Sequence, residues 1–303
     1  MVKAPNLDHL SPSAAKLAME DDEVRIDRIL ADRWIGYTRA NAGLEKLEWL
    51  LRHPKRTRMP NLLIVGPTNN GKTMITEKFR RDHSAGVSRE TGAETIPVLR
   101  VQSPDAADPR RFYNAVLNAL NAPDRPGDLL AKKESQALHL LRATGVRVLI
   151  IDEIHNLLAG QHSKMGQMLN MLRYLGNELQ IPLVAVGVKE ALTVIHSDDQ
   201  LANRFEPFPL PRWDDGEETV ALLESFQYVL PLRRPSTLTS PPMVRKIVAL
   251  SEGILGEMAT LVTRAAELAV REGAERIELK TFDRIDYHSP SQRRASAAIM
   301  KVD

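Results

Sequence analysis

Gly66-Pro67-Thr68-Asn69-Asn70-Gly71-Lys72-Thr73 is the stretch on which the fold turns. It fits G-x-x-x-x-G-K-[S/T], follows the apolar run Leu62-Leu63-Ile64-Val65 and opens a helical segment. That context is the one in which the pattern builds a phosphate-binding loop. With Gly at roughly 7%, Lys at roughly 6% and Ser/Thr at roughly 12%, a chain of 303 residues holds about 0.01 chance matches, so a nucleotide site is the better reading. Glycines let backbone amides curl around phosphates, and the following helix N-terminus adds positive partial charge. Lys72 is expected to reach the β- and γ-phosphates, and the Thr73 hydroxyl to ligate Mg2+. Gly66, Pro67, Thr68, Asn69, Asn70, Gly71 and Met74 complete the expected ATP cradle.

Such a loop needs a second strand that ends in acid. Arg147-Val148-Leu149-Ile150-Ile151-Asp152-Glu153 supplies one. Asp152 is expected to hold the magnesium through its water shell, and Glu153 to polarise the attacking water as general base. An acidic pair favours hydrolysis over binding alone. No N-K-x-D guanine-reading sequence occurs, which points to ATP rather than GTP.

Around these motifs, apolar runs at Leu62–Val65, Ile96–Val101, Val146–Ile151 and Leu183–Val186 alternate with helical periods, the signature of an α/β fold with a buried parallel sheet. Asp108-Pro109 reads as an N-cap and first helical position, followed by Phe112, Val116, Leu117 and Leu120. Met165, Met168 and Met171 lie at helical spacing and are expected to pack in the core. After Trp213 the patterns are helical, over about 215–230, 241–252 and 255–273. The expected organisation is a flexible arm over 1–25, a nucleotide-binding core with an N-terminal helical linker over 26–213, a helical lid over 214–288 and a tail over 289–303. A basic run, Arg52, Lys55, Arg56 and Arg58, closes the linker.

Composition narrows the function. The 43% hydrophobic and 26% charged content is that of a globular protein, which excludes extensive disorder. The absence of cysteine excludes disulfides, thiolate metal sites and cysteine nucleophiles. The apolar run Ile181–Val188 is far short of the roughly 20 residues of a membrane span. No signal peptide is evident, and a soluble intracellular protein is expected. His139, His155, His162 and His196 show no metal-ligand spacing. Net charge is only +2, so nucleic-acid binding has to rest on local patches.

Pro60-Asn61-Leu62-Leu63-Ile64-Val65-Gly66 with Thr68-Asn69-Asn70-Gly71-Lys72-Thr73, together with Leu149-Ile150-Ile151-Asp152-Glu153-Ile154-His155-Asn156, resembles the TniB/TnsC family of AAA+ transposition regulators, TniB most nearly. Val186-Gly187 with Glu190-Ala191, Trp34-Ile35-Gly36-Tyr37 and Gln200-Leu201-Ala202-Asn203-Arg204-Phe205 agree with it, and the likeness covers about residues 26–285. The resemblance implies an AAA+ P-loop NTPase fold, with a five-stranded parallel sheet sandwiched by helices and a C-terminal helical lid. It implies an ATP-dependent regulator that binds double-stranded DNA without sequence preference and assembles as a ring or helical filament. Such a protein works in the bacterial cytoplasm, where it recruits a DDE-type transposase and in some cases a TniQ-type targeting protein. By position, Arg204 resembles the arginine finger that completes a neighbour's site, and Trp34, Ile35 and Tyr37 resemble the adenine-side pocket. Arg110 and Arg111, with Arg125 and Lys132-Lys133 nearby, match the region that lines DNA in relatives, where they would neutralise phosphates.

Two positions depart from the family's pattern. Val188 stands where threonine is usual, and Glu257 stands where many lids place a phosphate-reading arginine, which implies slow hydrolysis. A helicase loader or replication initiator shares the fold and the motifs. A nucleotide-switched recruiting scaffold with little turnover is the reading from another class.

Overall fold

The computed structural model describes residues 6–88, 92–157 and 162–299. They form two compact units, one of residues 39–211 and one that joins the residues before 39 to those after 211. The chain starts with α1 (Pro12–Leu17) and α2 (Asp22–Leu30), and α3 (Thr38–Arg52) leads into the first unit. There β1 (Asn61–Val65) and α4 (Lys72–Asp82) precede a short antiparallel pair, β2 (Gly86–Val87) and β3 (Glu94–Thr95), and then β4 (Val98–Gln102). Next come α5 (Pro109–Ala119), α6 (Leu130–Ala143), β5 (Val148–Asp152), α7 (Ile154–Leu157) and α8 (His162–Leu179). Finally β6 (Leu183–Gly187), α9 (Lys189–His196), α10 (Asp199–Ala202) and β7 (Phe205–Pro209) complete that unit. Beyond it lie α11 (Glu217–Val229), α12 (Pro241–Ser251), α13 (Leu255–Arg271), a 3-10 turn (Leu279–Asp283) and α14 (Pro290–Ile299).

The sheet runs β4-β5-β6-β1-β7, and every neighbouring pair is parallel. β1, β5 and β6 are buried along their whole lengths, as continuous apolar runs in a doubly covered sheet should be. Alternate residues Leu63, Val65, Leu99, Val101, Leu149 and Ile151 point into one apolar layer with Phe112, Val116 and Leu117 of α5. α6 and α8 contribute Leu141, Met168, Met171 and Leu175 to the same layer, with Met165 packed against it, so the methionine series is core as its spacing predicts. α5 starts as expected: the Asp108 carboxylate accepts the Arg110 amide at 2.8 Å, and Pro109 takes the first helical position. Because the strands are parallel, their carboxyl ends share one edge, and the chain leaves that edge at Gly66, Ser103, Glu153 and Val188.

Several elements differ from expectation. The apolar runs mark four strands; the fifth is β7, Phe205-Glu206-Pro207-Phe208-Pro209, paired to β1 over its whole length. Its two prolines hide it in the sequence, and they are tolerated because β7 is an edge strand. The linker expected to be helical over 26–58 is broken between Leu30 and Thr38 and ends at Arg52.

Of the residues expected to form an N-terminal arm, 6–25 fold instead, and 1–5 lie outside the described residues. α1 and α2 lie there, and α2 packs on α13. Arg25 is fully buried and donates to both Glu275 carboxylate oxygens and to the Pro231 carbonyl. The expected lid therefore shares a unit with the N-terminal segment, and α14 occupies 290–299 of the expected tail, whose residues 300–303 lie outside the described residues. No helix among the described residues is long and apolar enough to cross a membrane.

Candidate nucleotide site

The loop from Gly66 to Thr73 leaves the carboxyl end of β1 and turns into α4, with Gly71 as the N-cap residue. Gly66 fits because the backbone of Leu210 passes close by: an added Cβ would stand 2.5 Å from the Leu210 carbonyl oxygen. The Leu210 amide in turn donates to the Val65 carbonyl at 2.7 Å. Asn70 is buried and donates from Nδ2 to the carbonyls of Leu210 and Pro211, each at 2.9 Å, which pins the loop to the segment after β7. Asn69 takes a left-handed φ of 61°, a conformation Asn accepts more readily than most residues. Pro67 is partly buried, and Thr68, Asn69 and Met74 are exposed.

Lys72 is 5% exposed, and its ammonium donates to the Gly66 and Pro67 carbonyls at 2.8 and 2.6 Å. Burial pulls its pKa down, against the opposing pull of Glu153 and Asp152. The loop thus holds a cation at its centre. Asp152, at the end of β5, is 1% exposed, and its Oδ2 accepts the Thr73 hydroxyl at 3.0 Å. Its Oδ1 accepts the Glu153 amide at 2.8 Å. A hydroxyl and a carboxylate this close form an oxygen donor set that suits Mg2+, which takes few protein ligands and shares the rest with phosphates and water. Thr73 and Asp152 fit that ion.

Glu153 adopts φ 54°, a strained conformation for this residue type, at the strand-to-helix turn. Its carboxylate meets His155 Nε2 at 3.1 Å, while His155 Nδ1 is buried without a hydrogen-bond partner among the described residues. Arg100 on β4 reaches the same Asp152 oxygen as Thr73, at 2.5 Å. Neither Arg100 nor His155 stands out as a site residue in the sequence. The available signal was Arg100 itself, a charge inside a run of buried apolar residues. Val188 lies at the N-cap of α9, so no hydroxyl is offered there.

The other expected site residues are placed as follows. Arg204 is partly buried and donates to Asn177 Oδ1 at 2.8 Å. Its carbonyl accepts the Asn61 amide at the start of β1, the end opposite the phosphate loop. It borders a cleft of about 1150 Å³ lined also by Trp49, His53, Arg56 and Arg58. Trp34 and Ile35 are partly buried, and Tyr37, 8% exposed, meets Trp213 edge-on at 5.0 Å between ring centres. These three belong to the unit that does not contain the loop. Glu257 is buried and accepts the Tyr287 hydroxyl at 2.8 Å and Arg293 at 2.6 Å. Burial first, then the Glu257 contact, push the Tyr287 phenol up.

Arg110 and Arg125 are exposed and form no ion pair with the other described residues. Arg111 and Lys132 are exposed and paired with Asp105 and Asp128, at 2.9 and 2.8 Å. Lys133 departs from expectation: it is 1% exposed and tied to Asp124, so it presents no charge to a partner.

Five parallel strands, a phosphate loop after the first and an acidic pair after β5 define an AAA+ P-loop ATPase. Within that class, the family model described as "Bacterial TniB protein" matches residues 25–215, and the chain belongs to the TniB family. Among solved structures, the chain is similar to the ORC2 protein of Aeropyrum pernix in ADPNP–ADP complexes, with a TM-score of 0.59 at 16% identity over 84% of this chain and 70% of that one. The Aeropyrum pernix ORC1 protein in complex with DNA gives 0.56 at 20% identity, over 84% and 66%. The Walker-type ATPase of Pyrococcus abyssi gives 0.55 at 14% identity, over 88% and 74%. At these identities the likeness is one of fold. A comparison with curated protein sequences finds no match.

Proposed function

We propose that this protein is an ATP-controlled regulator of DNA transposition. It oligomerises on double-stranded DNA, recruits a DDE-type transposase and disassembles on ATP hydrolysis. Membership of the TniB family supports the biological role. The observation that carries the assembly is the position of Arg204. β1 has five residues and spans roughly 13 Å or more between the Arg204 backbone and the phosphate loop, beyond an arginine's reach. Arg204 therefore serves as a finger only to a second copy, and turnover requires neighbours in a head-to-tail array. Such an interface closes into a ring or propagates as a helical filament.

Mg2+, when bound, would supply positive charge to offset that of the phosphates. Lys72 and the loop amides hold those phosphates. Thr73 and Asp152 would hold the metal. Glu153, fixed at the β5 turn and steadied by His155, orients water and accepts its proton. Without a hydroxyl at Val188, one contact that orders water or phosphate is missing, so turnover is slow, as suits a timer. Trp34, Ile35 and Tyr37 are proposed for the adenine side.

Arg110 and Arg125 offer unpaired charge for DNA phosphates, while Arg111 and Lys132 have to exchange a carboxylate partner to do so. A TniQ-type protein is a further proposed partner. A helicase loader or replication initiator would share this fold and these motifs, and it is the competing reading.

The test is binding to a long random-sequence duplex with ATP, ADP or no nucleotide, imaged by electron microscopy and repeated with a purified DDE-type transposase. ATP-dependent filaments or rings that retain the transposase are expected. Assemblies that retain a replicative helicase and not the transposase would favour the loader.

A further inference from the structure

Arg100 sits at the third position of β4 between Val98, Leu99 and Val101, which are 3%, 4% and 2% exposed. A guanidinium among such neighbours needs a partner, and Nη2 finds it in Asp152 Oδ2 at 2.5 Å. That oxygen also accepts the Thr73 hydroxyl. The Asp152 side chain is 2% exposed and that of Arg100 24%, so water screens the pair only in part. Arg100 Nε is buried with no hydrogen-bond partner among the described residues, and so is Ser103 Oγ at the end of the same strand. The guanidinium therefore keeps a spare donor beside the carboxylate.

We propose that Arg100 is an internal counter-ion of Asp152, a positioning residue that competes with the divalent cation for Oδ2 and makes nucleotide binding less dependent on Mg2+. The inference rests on the nucleotide-site reading above. Two carboxylates, Asp152 and Glu153, border a site meant for polyphosphate, and without a compensating cation they repel it. Arg100 offsets one of those charges when no metal is bound. When metal is present, the same charge-assisted hydrogen bond has to be loosened before Asp152 can turn its full charge to the ion's water shell. Lowered metal dependence and lowered metal affinity are two faces of one contact.

The test uses the full chain and a fluorescent ATP analogue, with Kd measured in EDTA and in saturating Mg2+. The readout is the ratio of the two values, which cancels any inactive fraction because both come from one preparation. Arg100→Met is expected to raise the ratio about tenfold, and Arg100→Lys, which keeps the charge, to restore most of it. On an Asp152→Asn background the methionine substitution is expected to have no effect, since a neutral amide needs no counter-ion. If Arg100→Met does not fold, Arg100→Gln keeps a donor without the charge and is expected to raise the ratio likewise. Equal ratios in wild type and the neutral variant would overturn the proposal, as would a rise that persists with Asp152→Asn. Wild-type protein that binds the analogue in neither condition would overturn the nucleotide-site reading itself, an outcome distinct from binding with an unchanged ratio.

Discussion

Glu153 carries a positive φ at the end of a buried strand, and that strain marks where the chain was bent to aim one carboxylate. Glu153→Gln keeps the size and the turn but cannot take a proton. Nucleotide binding should persist while turnover falls by about 100-fold or more, and the ATP-bound assembly should stay on DNA. Phosphate release and the lifetime of the DNA complex measure the two halves. Dissociation at the wild-type rate would remove the water-activating role from Glu153. Both acidic residues and the loop lysine were legible in the sequence because spacing and strand context define them. The Arg100–Asp152 contact was not, because which side chains share the carboxyl edge depends on the β4–β5 register, Gln102 opposite Asp152, which no local pattern encodes.

At the scale of elements, β7 and the helices that follow it carry the informative tests. If Arg204 works in trans, Arg204→Ala should bind ATP normally yet lose turnover by about 1000-fold. Lys72→Ala should bind poorly and turn over nothing. An equal mixture of the two inactive chains should regain activity, because about a quarter of the interfaces would join an intact Lys72 to an intact Arg204 in a head-to-tail array. A mixture as inactive as its components would mean that no such shared site exists.

Between α12 and α13, Gly253 has φ 66°, and an added Cβ would stand 2.3 Å from the Trp213 carbonyl oxygen, backbone that cannot swing aside. Gly253→Ala should lower stability by about 1–3 kcal/mol, seen as a lower melting temperature. The helices of this region were readable from their apolar periods almost to the residue, as α12 and α13 illustrate. β7 was not, since Pro207 and Pro209 argue against a strand until its partner β1 is known to leave that edge open.

For the whole molecule, two properties invisible to any one motif come into play, net field and the closure of the second unit. A net charge of +2 gives little long-range attraction to DNA, so binding should depend on a few local contacts. Arg110→Ala and Arg125→Ala should each reduce the slope of log affinity against log salt by about 1, with no change in sequence preference. Unchanged slopes would exclude both from the DNA surface.

The second property concerns the N-terminal residues, whose prolines and acidic stretch read as an arm. They read so because Arg25 and Glu275 are separated by almost the whole chain, and neither looks buried on its own. In the structure Glu275 Oε1 accepts Arg25 at 2.9 Å and Arg233 at 3.2 Å, and Arg25 also closes on the Pro231 carbonyl at 2.9 Å. Removing one partner of a buried ion pair leaves the other charge uncompensated, which costs about 3–5 kcal/mol. Glu275→Ala should therefore destabilise the unit that holds α11 to α14, and deleting residues 1–25 should do so at least as strongly, because it also strips α1 and part of α2 from that unit. The double change, Arg25→Met with Glu275→Leu, should recover part of the loss, since the buried Arg25 charge is gone while the partly exposed Arg233 keeps Asp22 and water. Thermal and urea melts of the three proteins decide it. A deletion variant as stable as the full chain would return residues 1–25 to the status of an arm.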